Sequence, residues 1–278
     1  MIGKSVRHLW RGSGTNIGLS LLAAFALVPL LWMLSVSFMA PGEASNFPPP
    51  LLPEHPTLAN YIKLFEYSSM GRNFLNSLFV ATAATLLSLT FNVAAGYAFA
   101  KLEFKGRHLL FRGLLSALVI PAQVSMIPLF LMLKGMGLVN SWIGVLIPFV
   151  ASIFGIFLVR QYALSIPTEL IESARIEGAS ELRIFRSVVV PLLTPILITL
   201  GLFTFMAAWN DFLWPLIVLT DSDKYTLPIA LASLSREHVQ DVELMMAGAV
   251  ITVTPVLILF LMLQRFYMSG NLAGSVKG

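Results

Sequence analysis

Six long apolar runs constrain this chain more than any other feature. They cover Ile17 to Phe38, Phe74 to Ala100, Leu109 to Leu133, Trp142 to Val159, Val188 to Leu219 and Leu244 to Tyr267. A helix rises about 1.5 Å per residue, so about 20 apolar residues cross a hydrocarbon core where no water can satisfy the backbone. The runs are continuously apolar and do not alternate, which excludes a transmembrane barrel of strands. With 57% apolar and 12% charged residues, the expected fold is all-α, a polytopic membrane protein with six transmembrane helices. The first run is too long for a secretory signal, and its end, Leu34 to Ala40, is a poor cleavage site, so it is retained as the first span.

Basic residues stay preferentially on the cytoplasmic side of short loops. With the N-terminus inside, only Lys63, Arg72, Lys134, Lys224 and Arg236 of the 18 Lys and Arg fall outside. Both termini are therefore expected to be cytoplasmic. The basic balance follows from this topology and calls for no nucleic acid.

Enzymatic chemistry finds little to work with. Cysteine is absent, and His8, His55, His108 and His238 are scattered without metal-ligand spacing. Gly3-Lys4-Ser5 supplies only the tail of a phosphate loop, and neither a zinc-protease helix nor a nucleophile elbow occurs. The expectation is no catalytic residue, no metal and no cofactor.

Two outer loops stand out. Met39 to Asn73 contains Pro48, Pro49, Pro50, Pro53 and Pro56, then an amphipathic piece, Leu58 to Phe65. That piece suits a membrane surface or an outside partner, and a proline-stiffened spacer is the equal alternative. Thr220 to Glu243 is acidic, with Asp221, Asp223, Glu237, Asp241 and Glu243 against Lys224 and Arg236. Solvation is the simplest reading of any one of those charges.

One cytoplasmic segment is polar, charged and helix-patterned although apolar runs flank it. Pro167 suits a helix start, and Glu169 and Glu172 sit near the positive end of the dipole. Gly178 suits a left-handed stop, and Ser180 caps a second helix that runs through Arg183 and Arg186. Ser173, Ala174, Gly178 and Ala179 are small, leaving room for another surface, so the pair fits a helix seated in a partner's groove. A DNA-reading helix-turn-helix has this outline too, but membrane spans on both sides leave no approach path.

These residues resemble a known family. Glu172-Ser173-Ala174, a three-residue gap, Gly178-Ala179 and the later Pro191 are similar to the coupling-loop motif of bacterial binding-protein-dependent ABC transporter permeases, with Ser173 where the pattern usually has Ala. Asn76-Ser77-Leu78, Ala95 to Lys101, Ile120 to Gln123 with Ile127 to Leu129, Trp209 to Phe212 and Tyr225 to Pro228 resemble the carbohydrate-uptake branch, in particular its maltose-permease-like second subunit. The resemblance implies a type I ABC importer transmembrane domain in the bacterial cytoplasmic membrane. It implies as partners a second permease subunit, two ATP-binding cassette ATPase subunits, an extracytoplasmic solute-binding protein and membrane lipid. It places the ATPase coupling at Glu172, Ser173, Ala174, Gly178 and Ala179. The expected organisation is residues 1–68 for the N-terminus, first span and proline-rich loop. Residues 69–268 would be the permease core, with coupling helices at 167–186, and 269–278 a cytoplasmic tail.

Asp211 is the one acidic residue placed inside an expected span, roughly 12 Å from its outer end at 1.5 Å per residue. A carboxylate there needs a partner or water. With Trp209 and Asn210 it offers an aromatic face and hydrogen-bonding groups that suit a sugar. The alternative is structural, through backbone freed near Pro215 or through the partner permease. Gln123, between Pro121 and Pro128, is a further candidate for the path. An ion- or proton-coupled secondary carrier, with Asp211 as coupling carboxylate, is the rival reading, although neither an inverted repeat nor a second intramembrane charge supports it.

Overall fold

A computed structural model describes residues 2–67, 69–237 and 241–272. In chain order its helices are α1 (Ile2–Ser37), α2 (Ala59–Tyr67), α3 (Met70–Lys101), α4 (Arg107–Ala117), α5 (Ala122–Gly135), α6 (Trp142–Val150) and α7 (Ile153–Leu164). There follow α8 (Thr168–Ile176), α9 (Glu181–Ile184), α10 (Val190–Leu192), α11 (Thr194–Asn210), α12 (Leu213–Val218), α13 (Leu227–Glu237) and α14 (Val242–Leu272). Among the described residues there is no strand, so the all-α expectation holds.

Among the described residues, four helical stretches are long and apolar enough to cross a membrane: Thr15–Ser37, Met70–Lys101, Trp142–Leu164 and Val242–Gln264. Two further pairs qualify only as bent units, giving six spans if each pair counts once. The chain turns by 105° between α4 and α5, and by 80° between Glu181–Leu192 and Thr194–Asn210. The expected spans over Leu109 to Leu133 and Val188 to Leu219 are therefore sharply bent. Proline explains the positions. It lacks an amide hydrogen, and its ring collides with the carbonyl four residues earlier. Pro121 accordingly ends α4 at Ala117, Pro195 stands in the first turn of α11 just after the 80° bend, and Pro215 makes a further break by opening the backbone at Asp211, which is extended (φ −69°, ψ 121°).

The chain divides into two compact units. The first comprises residues 1–71 and 231–254. Here the proline-rich segment folds back on the end of α1: Thr57 N donates to Phe38 O at 2.8 Å, and Ser35 Oγ to Leu51 O at 2.7 Å. Glu43 clamps the segment, accepting from Glu54 N at 2.6 Å and Ala40 N at 2.8 Å. Those two amides hold its carboxyl below its ordinary pKa. The acidic loop expected over Thr220 to Glu243 instead contains α13. Glu243, expected to be solvated, is completely buried in this unit and accepts from Ala44 N at 2.8 Å. It begins an apolar helix, and the folded-back turn brings a donor to it.

The second unit comprises residues 72–230 and 255–278. Its α3 and α7 cross at Gly96, where a Cβ would stand 2.7 Å from Val159 Cβ and 3.0 Å from Arg160 N. Only glycine lets the backbones approach that closely. Asn92, one turn away on α3, is buried and donates to Ser88 Oγ at 2.7 Å, and Ser88 pairs with Thr204 of α11 at 3.2 Å. Val93, Tyr97, Val159, Ala163, Ile184 and Leu193 belong to the buried cluster beneath α8 and α9.

Candidate functional site

Two places in the second unit bring together the residues that matter, and α11 connects them. The first is the polar turn. Pro167 caps α8, Glu169 lies in its first turn, and Gly178 adopts φ +83°. Ala179 N donates to Ala174 O and Gly178 N to Arg175 O, both at 3.0 Å. That pairing is the glycine-terminated closure that satisfies the last carbonyls of a helix. Ser180 then caps α9, its hydroxyl accepting from Arg183 N at 3.4 Å. All three punctuation residues act as their chemistry demands.

The turn is seated firmly on the unit's own core. Ile171 and Ile184 are buried, Tyr97 and Phe185 pack ring to ring at 5.4 Å, and Lys101 Nζ donates to Ile166 O at 2.6 Å. Arg160 stacks its guanidinium over Phe111, 4.1 Å from the ring centroid, and donates to Phe99 O at 3.3 Å. Glu172, Ser173 and Gly178 face outward, whereas Ala174 and Ala179 turn toward this core and pack against it. The small size of those two alanines therefore serves internal packing. Sequence reasoning missed Ile176 and Leu182, which flank the turn at 87% and 57% exposure. The signal was there: an isoleucine directly before a Glu-Gly helix stop has no core to enter.

The second place is a cavity of ≈ 830 Å³ where three interrupted helices meet. The α4–α5 bend contributes Pro121 and Ser125, the α6–α7 break contributes Ala151 and Ser152, and the α11–α12 break contributes Asp211. Broken helices at membrane depth are tolerated where they line a cavity or are buried in protein. Asp211, expected inside a span, lies at the end of α11. Its Oδ1 faces Trp214 N at 3.4 Å. Trp214 is buried, lines the cavity, and donates its indole N–H to Gly144 O at 3.1 Å.

The other expected path residues do not line this cavity. Trp209 is fully buried, edge-on to Phe74 at 5.7 Å and stacked on Phe205 at 5.8 Å. Asn210 is exposed and donates to Met206 O at 2.9 Å, and Gln123 is exposed on α5. Trp214 and Ser152 are the residues the sequence reading lacked. No local pattern marks them, because their meeting depends on three separate breaks. Among the described residues no cluster of three or more His, Asp or Glu is placed to hold a metal ion.

Comparison with known proteins places these features in a family. Residues 92–268 match the family described as binding-protein-dependent transport system inner membrane component. The chain is 37% identical over 270 residues to the arabinooligosaccharides transport system permease protein AraQ of Halalkalibacterium halodurans, covering 95% of each chain. It is 33% identical over 263 residues to the diacetylchitobiose uptake system permease protein NgcG of Streptomyces coelicolor, covering 93% of this chain and 85% of that one. Among solved structures, a bacterial ABC transporter involved in importing the acidic polysaccharide alginate superposes with a TM-score of 0.82 at 26% identity, over 92% of this chain and 96% of its counterpart.

Proposed function

This chain belongs to the inner-membrane components of binding-protein-dependent transport systems, and we propose that its cargo is an oligosaccharide or a closely related polar solute. It is a multi-pass membrane permease subunit of an importer and is not itself an enzyme. Family membership sets aside the ion-coupled carrier weighed from the sequence. In our reading a second, related permease completes the pathway, two cytoplasmic ATPase subunits supply the drive, and an extracytoplasmic binding protein delivers the solute. Both termini lie in the cytoplasm in this arrangement.

The observation that carries the reading is the course of α11. It starts at Thr194, just after the 80° bend that ends the helical stretch Glu181–Leu192 leading out of the polar turn, and ends at Asn210, next to Asp211 at the cavity. Seventeen residues at about 1.5 Å each make a rod of roughly 25 Å. An ATPase groove that grips Ile176, Leu182 and the Gly178 turn would displace a rigid pair of short helices. Ile171 and Ile184 would pass the movement into α3 and α7, and α11 would pass it to the cavity. Glu172 and Ser173 supply polar contact with the partner, and Gly178 shapes the turn.

The cavity supports the cargo class. It is mostly apolar, with Trp214, Ser125, Ser152 and Asp211 among its few polar or aromatic groups. Sugars are bound by such combinations of flat apolar faces and sparse hydrogen-bonding groups. Similar permeases are named for arabinooligosaccharides and diacetylchitobiose, which points the same way.

Purification from native membranes in a gentle detergent, with mass-spectrometric identification of what co-elutes, tests the assembly. A second permease and an ATPase are expected, with uptake that needs ATP and resists protonophores. A homogeneous, partner-free species that still transports in vesicles would overturn the reading.

A further inference from the structure

Leu58, Ile62 and Phe65 form one exposed apolar stripe on α2 and its entry, at 59%, 53% and 55% exposure. At about 100° per residue they lie within an arc of roughly 60°. The opposite face points into the protein, where Leu64 is fully buried and Asn60 nearly so. The helix is thus apolar outside as well as inside, which a merely solvated connector does not require.

Hydrogen bonds fix where this stripe stands. Asn60 Nδ2 donates to Ser37 O at 3.1 Å and to Met39 O at 2.9 Å, and Tyr61 Oη donates to Ser37 Oγ at 2.8 Å. The apolar run of α1 ends at that point, so α2 is held at the level where hydrocarbon gives way to headgroups. The proline-rich loop is pinned to the same turn through Ser35 and the carbonyl of Leu51. Leu51 and Leu52 stand there at 78% and 74% exposure. Lys63 is drawn off the stripe by Asp241, 2.7 Å away.

We propose that Leu51, Leu52, Leu58, Ile62 and Phe65 form an interfacial collar that inserts among the phospholipid acyl chains of the leaflet in which α1 ends. Amphipathic helices of this kind seat about 5–10 Å into the headgroup and acyl boundary. Asn60 and Tyr61 tie the collar to the last turn of α1, so the bilayer itself sets the depth of that span. The inference needs only that α1 crosses the membrane, and it stands apart from the cargo and the ATPase.

This chain has no cysteine, so one introduced thiol is its single labelling site once any cysteines of the partner subunits are replaced. The transporter, carrying Leu52→Cys, Leu58→Cys, Ile62→Cys or, for comparison, Glu66→Cys, is labelled with a nitroxide in nanodiscs of phosphatidylcholine and phosphatidylglycerol. Collision with oxygen, which concentrates in lipid, is compared with collision with a water-soluble nickel chelate. The oxygen-to-nickel ratio is expected to be severalfold higher at 52, 58 and 62 than at 66. Nickel access at 58 and 62 equal to that at 66 would place the stripe in water and overturn the proposal. Low access to both reagents would show a protein surface covering the stripe, and would overturn it too. Leu52, outside the helix, reads the collar independently of any disturbance of α2.

Discussion

Arg175 and Glu181 face each other across the Gly178 turn, with Nη2 at 2.7 Å and Nε at 2.8 Å from the same carboxylate oxygen. One lies at the end of α8 and the other at the start of α9, so the pair braces the angle between the two helices. Both side chains are about half exposed, and such pairs contribute at most about 1 kcal/mol to stability. Glu181→Gln is therefore expected to leave the thermal midpoint of the purified transporter nearly unchanged while lowering solute-stimulated ATP hydrolysis severalfold. Paired measurement of melting and ATPase activity separates bracing from folding.

Gly178 tests the turn itself. At φ +83° a side chain is strained by about 1–2 kcal/mol, although among the described residues a Cβ there meets nothing beyond its own chain neighbours within 4 Å. Gly178→Asp should abolish uptake while membrane insertion stays intact. Unchanged uptake by that variant would remove the coupling assignment.

Ile176 is the more exposed of the two apolar groups beside the same turn. Ile176→Ser removes no internal contact of consequence, so the permease should fold and insert normally. Co-purification of the ATPase should drop severalfold. A full complement of ATPase on this variant would put the docking surface elsewhere.

Asp211 separates a role in the solute path from a structural one. Asn keeps an acceptor for the Trp214 amide and nearly the same volume, so a structural carboxylate should tolerate Asp211→Asn. A path role predicts a raised KM for uptake with the ATPase still bound. Vesicle uptake at graded solute concentration reads the difference.

Gly96 lies where α3 and α7 touch. Gly96→Ala should destabilise by about 1–3 kcal/mol through overpacking, because the added Cβ meets Val159 Cβ and Cγ1, both at 2.7 Å, and alanine at 159 would remove the Cγ1 contact. Val159→Ala should restore part of the loss in the double variant, read as a recovery of melting temperature.

Glu43 gives the first unit a pH dependence. Amide hydrogen bonds from Glu54 and Ala40, in that order, lower its pKa on folding. A lowered folded-state pKa stabilises above the unfolded carboxylate value, and the contribution is lost as pH falls through the folded value. Hydrogen exchange at Ala40 and Glu54 should therefore quicken, beyond the intrinsic pH effect, in the acid range below the ordinary carboxylate pKa. In Glu43→Gln that extra acid dependence should vanish.

Much of this was legible locally. Pro167, Gly178 and Ser180 each act within a few residues of themselves, through a missing amide hydrogen, a permitted left-handed turn and a hydroxyl acceptor. Short-range chemistry of that kind survives translation from sequence to structure. The apolar runs were equally legible, since length and hydropathy decide which segments can enter a bilayer. Proline marked the interruptions at Ala117 and Asp211, but the angle of each bend is not written in the runs.

Contacts between distant segments were decided by the tertiary structure alone. Trp209 and Trp214 are five residues apart and chemically alike, yet one is packed between Phe74 and Phe205 and the other lines the cavity. Glu243 reads as a solvated loop charge until the turn at Ala44 reaches it. Ala174 and Ala179 read as room for a partner until the core beneath them is seen. The sequence by itself determined the class of molecule, its spans and the punctuation of the polar turn, because those depend on hydropathy and on interactions among near neighbours. Which breaks share a cavity, and which small or charged side chains turn inward, depended on packing between segments up to 199 residues apart, and only the folded chain supplies that information.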